Sequence, residues 1–254
     1  MANKSGLENV IKSVLSVGAA EQNFAYPPYV ADSHYNIVTA FILDQLSILY
    51  PAYIDALLPF IGVKKIAVTD GHVLLPDDYR NLLGAPSISI KPGGGNCEDN
   101  NPVIIDTASE FKTANLKAGC RSVPITMVSK GEWDYRTTSE YAFPTYTDPI
   151  GMFSAPIVSS SGTTDVVKKS IKVCPYDIAR VEVMYTKKEQ IYRYGYIVQP
   201  DDTFIFDGTT SVDSPWEEAA FELLFKGVFA LYSAYSRDNA IMEFSQILNK
   251  AGLF

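Results

Sequence analysis

Apolar and polar residues follow two different periods along this chain, and the change of period divides it. Near the start, Leu7, Val10, Ile11, Val14 and Leu15 recur at i, i+3 and i+4. That spacing predicts a helix over about residues 6–17, with Gly18 as its stop. Phe24-Ala25-Tyr26-Pro27-Pro28-Tyr29 follows, and its paired prolines favour an extended segment. Ser33 is placed to cap a second helix reaching about Tyr50, with Ile37, Val38, Phe41, Ile48 and Leu49 on its apolar side. Pro51 ends it and opens a short helix over about 52–60. Lys65–Thr69 and His72–Leu75 then flank Asp70-Gly71, a hairpin pattern. Residues 76–83 read as a short capped helix closed by Gly84.

From about Pro86 to Ser211 the helical period is lost. The clearest strand-like runs are Val123–Val128, Ile178–Tyr185, Ile191–Val198 and Thr203–Phe206, rich in β-branched and aromatic residues that pack well on a pleated surface. Residues 92–122 carry the least regular pattern and read as a long loop. Helix returns at Ser214-Pro215-Trp216-Glu217, where a capping Ser precedes Pro and Glu. The stripe Trp216, Ala220, Leu224, Val228, Leu231 and Tyr235 predicts the longest helix, and 242–251 continues helically. The expected class is therefore α+β. A helical bundle from the N- and C-terminal segments would carry a β-rich insertion. Residues 1–86 form its first part with a hairpin, 87–207 the insertion, and 208–254 the helices that complete it.

Composition narrows the function more than it names it. The 254 residues are 47% hydrophobic, enough for a substantial core and too apolar for a disordered chain. Twenty-one basic against 29 acidic residues give −8, which disfavours tight binding to phosphates. Cys97, Cys120 and Cys174 are odd in number and lack CxxC spacing, so neither a disulfide framework nor a zinc site is expected. Gly93–Gly95 lacks the Lys-Ser/Thr of a phosphate loop. His34, His72, Cys174, Asp77-Asp78 and Asp201-Asp202 read as structural residues in turns, caps and core. No catalytic, metal or cofactor-binding residue is assigned, and no cofactor is expected. The apolar stretch 37–61 is interrupted by Asp44, Gln45, Pro51, Asp55 and Pro59, so no membrane span is expected. The start Met1-Ala2-Asn3-Lys4-Ser5-Gly6 lacks a basic segment followed by a cleavable apolar run, so no secretory signal is expected.

Several stretches carry a resemblance. They are Leu75-Pro76-Asp77-Asp78-Tyr79, Trp133-Asp134-Tyr135-Arg136, Phe143–Ile150, Cys174–Ile178, Tyr194-Gly195-Tyr196, Pro200–Thr203 and Leu231–Asp238. Together they resemble structural ring proteins of the neck and tail in crAss-like phages of gut Bacteroidetes. More broadly, helices at both ends enclosing a β insertion look like the connector, or adaptor, proteins of tailed phages. The resemblance implies a virion protein made in the bacterial cytoplasm and no enzymatic activity. It also implies a closed ring of twelve copies, contacts with the portal or adjacent neck and tail rings, and DNA passing through the channel without specific binding. The assembly residues expected from the Tyr/Pro-rich loops, the glycine loop and the C-terminus are Tyr26, Pro27, Pro28, Tyr29, Asn96, Tyr146, Leu253 and Phe254. Tyrosines in the β-rich region leave an alternative open, a carbohydrate- or receptor-binding tail protein.

Overall fold

A computed structural model describes residues 7–18, 27–50, 52–90, 121–161, 164–200, 204–216 and 220–236, and every structural statement below concerns these. The chain divides into two units: Met1–Phe60 with Glu189–Phe254, and Ile61–Lys188.

The first unit contains α1 (Leu7–Gly18), α2 (Pro28–Ile48), the short α3 (Ile54–Leu57) and a 3-10 turn at Leu58–Phe60. Helix α2 begins five residues before Ser33. Pro27 takes the extended conformation of an N-cap (φ −62°, ψ 136°), and Pro28 occupies the first turn, where its missing N–H costs nothing. The paired prolines thus start a helix rather than holding an extended arm. The buried side of α2 is Ala31, Tyr35, Val38, Thr39, Ile42, Leu43 and Leu46. Of the expected apolar side, Val38 alone is buried; Ile37, Phe41, Ile48 and Leu49 face solvent.

The sheet unit holds β1 (Ile61–Thr69), β2 (His72–Leu74), β3 (Tyr79–Leu82), β4 (Ser87–Ile90), β5 (Arg121–Pro124) and β6 (Thr126–Met127). After these come helix α4 (Lys130–Thr138), β7 (Ile150–Ser161), β8 (Thr164–Cys174) and β9 (Arg180–Lys187). The first unit resumes with β10 (Tyr196–Val198), β11 (Phe204–Phe206) and α5 (Phe221–Ser236). Asp70 and Gly71 both take positive φ (51° and 74°), the tight turn that the β1–β2 hairpin requires and that favours Gly second.

Nine strands form one sheet in the order β5-β4-β9-β1-β2-β8-β7-β6, with β3 also paired to β9. β5 and β6 stand at opposite ends of that order, yet Ile125 alone separates them in the chain. The Ile125 N–H donates to the Pro86 carbonyl (2.7 Å), beside β4, and the Thr126 N–H donates to Pro149 (2.9 Å), beside β7. One extended segment thus joins both edges and nearly closes the sheet into a barrel, which removes the exposed edges an open sheet would carry. Val73, Leu75, Ile88, Val123, Ile125, Ile171, Val173, Val181, Val183 and Tyr185 fill its core.

The architecture corrects the expected fold class. The protein is a mixed α/β, β-rich molecule with a large, nearly closed, barrel-like sheet and five helices among the described residues, not a helical bundle carrying an insertion. Residues read as a capped helix at 76–83 contain β3 instead, because Tyr79–Leu82 pairs with β9 and Tyr79 packs in the barrel core. Helix α4 falls where no helix was expected; its signal is Ser129-x-x-Glu132, and the Ser129 hydroxyl accepts the Glu132 N–H (3.4 Å). Helix α5 starts at Phe221, so Trp216 precedes it, with its N–H held by the Ser214 hydroxyl (3.3 Å).

Helices α1 and α2 both pack on α5. A Cβ added at Gly227 would lie 2.5 Å from Val38 Cγ1, so these backbones approach as closely as glycine allows. Alanine raises helix propensity by about 1 kcal/mol over glycine. Forcing the helices apart costs about 1–3 kcal/mol. Gly227→Ala is therefore expected to destabilise despite its propensity gain, read as a lower urea midpoint; a raised midpoint would show that Val38 repacks freely.

Candidate functional site

Helix α2 carries two apolar sides. At 100° per residue, Tyr35, Val38, Ile42 and Leu46 cluster toward the core, and Ile37, Phe41 and Ile48 fall together in a second stripe about 125° further round the helix. All three are more than half exposed, as is Leu49 just beyond the helix. The short helical stretch that follows exposes Tyr53 and Leu58 as well. Asp44 is the one charged residue in the outer stripe.

The flank of α2 organises a second surface. Asn36 donates its amide to the Tyr192 carbonyl (2.8 Å) and accepts the Tyr192 N–H (2.9 Å), and Asp32 accepts the Tyr194 N–H (2.6 Å). Residues 192–194 thus satisfy backbone groups on helix side chains, which shortens the expected strand Ile191–Val198 to β10. The Tyr35 and Tyr192 rings meet edge to face at 5.9 Å beneath this clamp. Burial raises the Tyr192 hydroxyl to about 12. Beyond it, β10 and β11 pair as Tyr196–Phe206, Ile197–Ile205 and Val198–Phe204. The Phe206 ring packs on Tyr194 at 4.9 Å. Alternation therefore sends Ile197 and Ile205 to the other face, where both are more than half exposed.

The expected assembly residues are distributed. Pro27 and Pro28 start α2, Pro28 buried, and Tyr29 beside them is largely exposed. Tyr146 belongs to the sheet unit, where its hydroxyl donates to the Asp177 carboxylate, an interaction that raises it to about 12. Tyr26, Asn96, Leu253 and Phe254 lie outside the described residues, as does Asp201-Asp202. The exposed stripe on α2 was missed because its residues read as core.

Asp77 and Asp78 diverge: Asp77 pairs with Lys168 (3.0 Å), and Asp78 accepts the Tyr185 hydroxyl (3.0 Å) with Lys64 at 3.5 Å. A tyrosine base would need a lowered pKa, and burial plus the Asp78 carboxylate raise that of Tyr185. Burial likewise pushes the Cys174 thiol up, away from thiolate reactivity. His34 sits edge-on to Tyr235 at 6.1 Å, and burial lowers its pKa. Among the described residues, no group of three His, Cys, Asp or Glu side chains is placed to hold a metal, and no helix is long and apolar enough to cross a membrane.

Among the described residues, Glu182 on β9 is the most displaced carboxyl. It stands between Lys65 of β1 and Ser87 of β4, and burial raises it to about 7 against an ordinary 4.5, with both neighbours opposing the rise. The neutral acid suits the fold, so its contribution is complete below pH 4.5 and lost as pH climbs through 7. Glu182→Gln is expected to flatten that decline and raise the melting temperature at pH 8. Parallel pH profiles for parent and variant would place the charge in water.

No protein-family model matches the chain, and comparison with curated proteins finds no match either.

Proposed function

We propose that this protein is a structural subunit that assembles with copies of itself into a closed ring in the head-to-tail connector of a tailed phage. The observation that carries this reading is the outer stripe of α2, Ile37, Phe41 and Ile48, a row of large apolar side chains on the side of the helix away from its own core. Apolar surface of this extent is what subunit contacts cover. The motif resemblance supplies the virion setting. The charge of −8 suits a channel wall that lets DNA slide, because a ring of acidic subunits repels phosphates. The twelvefold copy number and the portal and ring neighbours belong to the same reading.

Native mass spectrometry and negative-stain imaging of the purified protein, alone and with its portal, test it. Closed rings are expected; monomers at every concentration in both preparations would overturn it. The alternative, a carbohydrate- or receptor-binding tail protein, draws on exposed Tyr135, Tyr141 and Phe143 around α4. Selective glycan binding lost in Tyr141→Ala would favour that second reading.

A further inference from the structure

We infer that successive copies in the ring are joined by strand pairing: on one hairpin arm of the sheet unit, the outer edge of β8 in one copy pairs antiparallel with the outer edge of β7 in the next. The inference rests on the ring reading above and supplies the contact that closes it.

Barrel closure leaves this hairpin uncovered. β6 pairs with β7 at Ile150 and Gly151, and β2 pairs with β8 between Lys172 and Ser170. Past a register shift between Ser154 and Ile157 the two strands run on together, from Ile157 opposite Lys168 to Ser161 opposite Thr164. Among the described residues, no third strand pairs with 157–161 or 164–168. At about 3.4 Å per residue the arm is roughly 17 Å long. Val167 on it is 64% exposed.

The backbone groups on its two edges can be assigned. The Val173 N–H donates to the Gly71 carbonyl (2.8 Å), and the Lys169 carbonyl accepts the Leu75 N–H (3.0 Å). The odd-numbered residues of β8 thus turn their backbone groups away from β7, and alternation carries this on to Val167 and Asp165. Val158 and Ser160, directly opposite them on β7, turn theirs out on the other edge.

Length and direction select a second copy's arm as the partner. Elsewhere among the described residues β3 and β5 are four residues long, β10 and β11 three, and β3 carries a register shift. The arm offers two longer edges that run opposite ways. Rotating one copy onto the next about an axis along the arm brings β8 beside the following β7 in the antiparallel sense, and the step repeats until the ring closes. Two unlike edges meeting head to tail are what a ring requires; β7 on β7, or β8 on β8, stops at a dimer. Apolar burial at the α2 stripe has no direction of its own, and strand pairing supplies the register.

Composition agrees. Free edges are ordinarily guarded by lysine, proline or a bulge. Here Pro156 and the register shift stand at the base of the arm, and Asp165 is the one charged residue within 157–161 and 164–167. Copies carrying −8 each approach there at little electrostatic cost.

Proline at an outward position removes an edge N–H and spares the arm's own ladder. Val158→Pro blocks the β7 edge and Val167→Pro the β8 edge, and unchanged melting temperatures verify that each variant folds. At concentrations where the parent forms rings, native mass spectrometry is expected to find each variant monomeric alone. An equimolar mixture is expected to give a one-to-one dimer and nothing larger, because the intact β8 edge of one variant meets the intact β7 edge of the other. If proline unfolds the arm, hydrogen exchange in the parent ring decides. The Ser160 and Asp165 amides should then exchange as slowly as those of Ser159 and Val166, which bond within the arm, and fast exchange overturns the pairing. Rings or dimers from either variant alone, a mixture that stays monomeric, or slow Ser160 and Asp165 amides in a folded monomer also overturn it and leave the ring reading intact. A parent that never assembles overturns both.

Discussion

Trp216→Ala is expected to destabilise the helical unit by about 3–5 kcal/mol, a large part of the stability an ordinary domain possesses. Trp216 is fully buried, and its ring lies 4.4 Å from that of Phe60. Removing it takes away transfer free energy and leaves a cavity that Phe60 cannot fill from its short 3-10 turn. The readout separates the two units. Trp133, the other tryptophan, is buried in the sheet unit, so the variant keeps a reporter there while far-UV circular dichroism follows the helices. Helix loss at lower urea with the Trp133 signal unmoved is the expected pattern. A midpoint within error of the parent would show Trp216 to be peripheral. Trp216→Phe, which restores most of the volume, should recover much of the loss.

Ile125→Ala is expected to cost about 2–5 kcal/mol in the sheet unit, for a reason beyond its volume. Ile125 is completely buried at the one place where both ends of the strand order meet. Its side chain lies in the barrel core beside Val123 and Ile171, and its N–H fixes the segment to Pro86. A shortened side chain should loosen both seams together. Hydrogen exchange is expected to speed up at Ile125 and Thr126 and along β7, with β1 and β9 less affected. Uniform loss of protection across all strands would mean that closure has no local character.

These residues show what the sequence makes legible. Helix α1, the turn at Asp70-Gly71 and the strand β9 follow from local period and turn chemistry, and they stand close to where pattern places them. The errors share a cause. In α2 the outer Ile37, Phe41 and Ile48 are as apolar as the inner Tyr35, Ile42 and Leu46, so helical period alone cannot say which side is core. At Pro76-Asp77-Asp78 the capping pattern is local, but the partner that turns Tyr79–Leu82 into a strand is β9, about a hundred residues later. Barrel closure is less visible still, because it depends on pairings that span the unit. The candidate interaction surface was legible only as hydrophobicity. That it faces outward is a fact of packing.

The pairing of β1 with β9 has a last consequence. Ile61 lies opposite Thr186 in the ladder, so the segment Ile61–Lys188 enters and leaves its unit on neighbouring strands. Paired strands stand about 5 Å apart. Seen from Phe60 and Glu189, this long stretch of chain therefore closes like a tight turn, and the entropy of joining its ends is spent inside the barrel rather than charged to the helices. The sheet unit has the geometry of a removable cassette. A linker of a few residues from Phe60 to Glu189 should let α2 and α5 find one another, and the barrel grafted into another protein's surface loop should keep its fold.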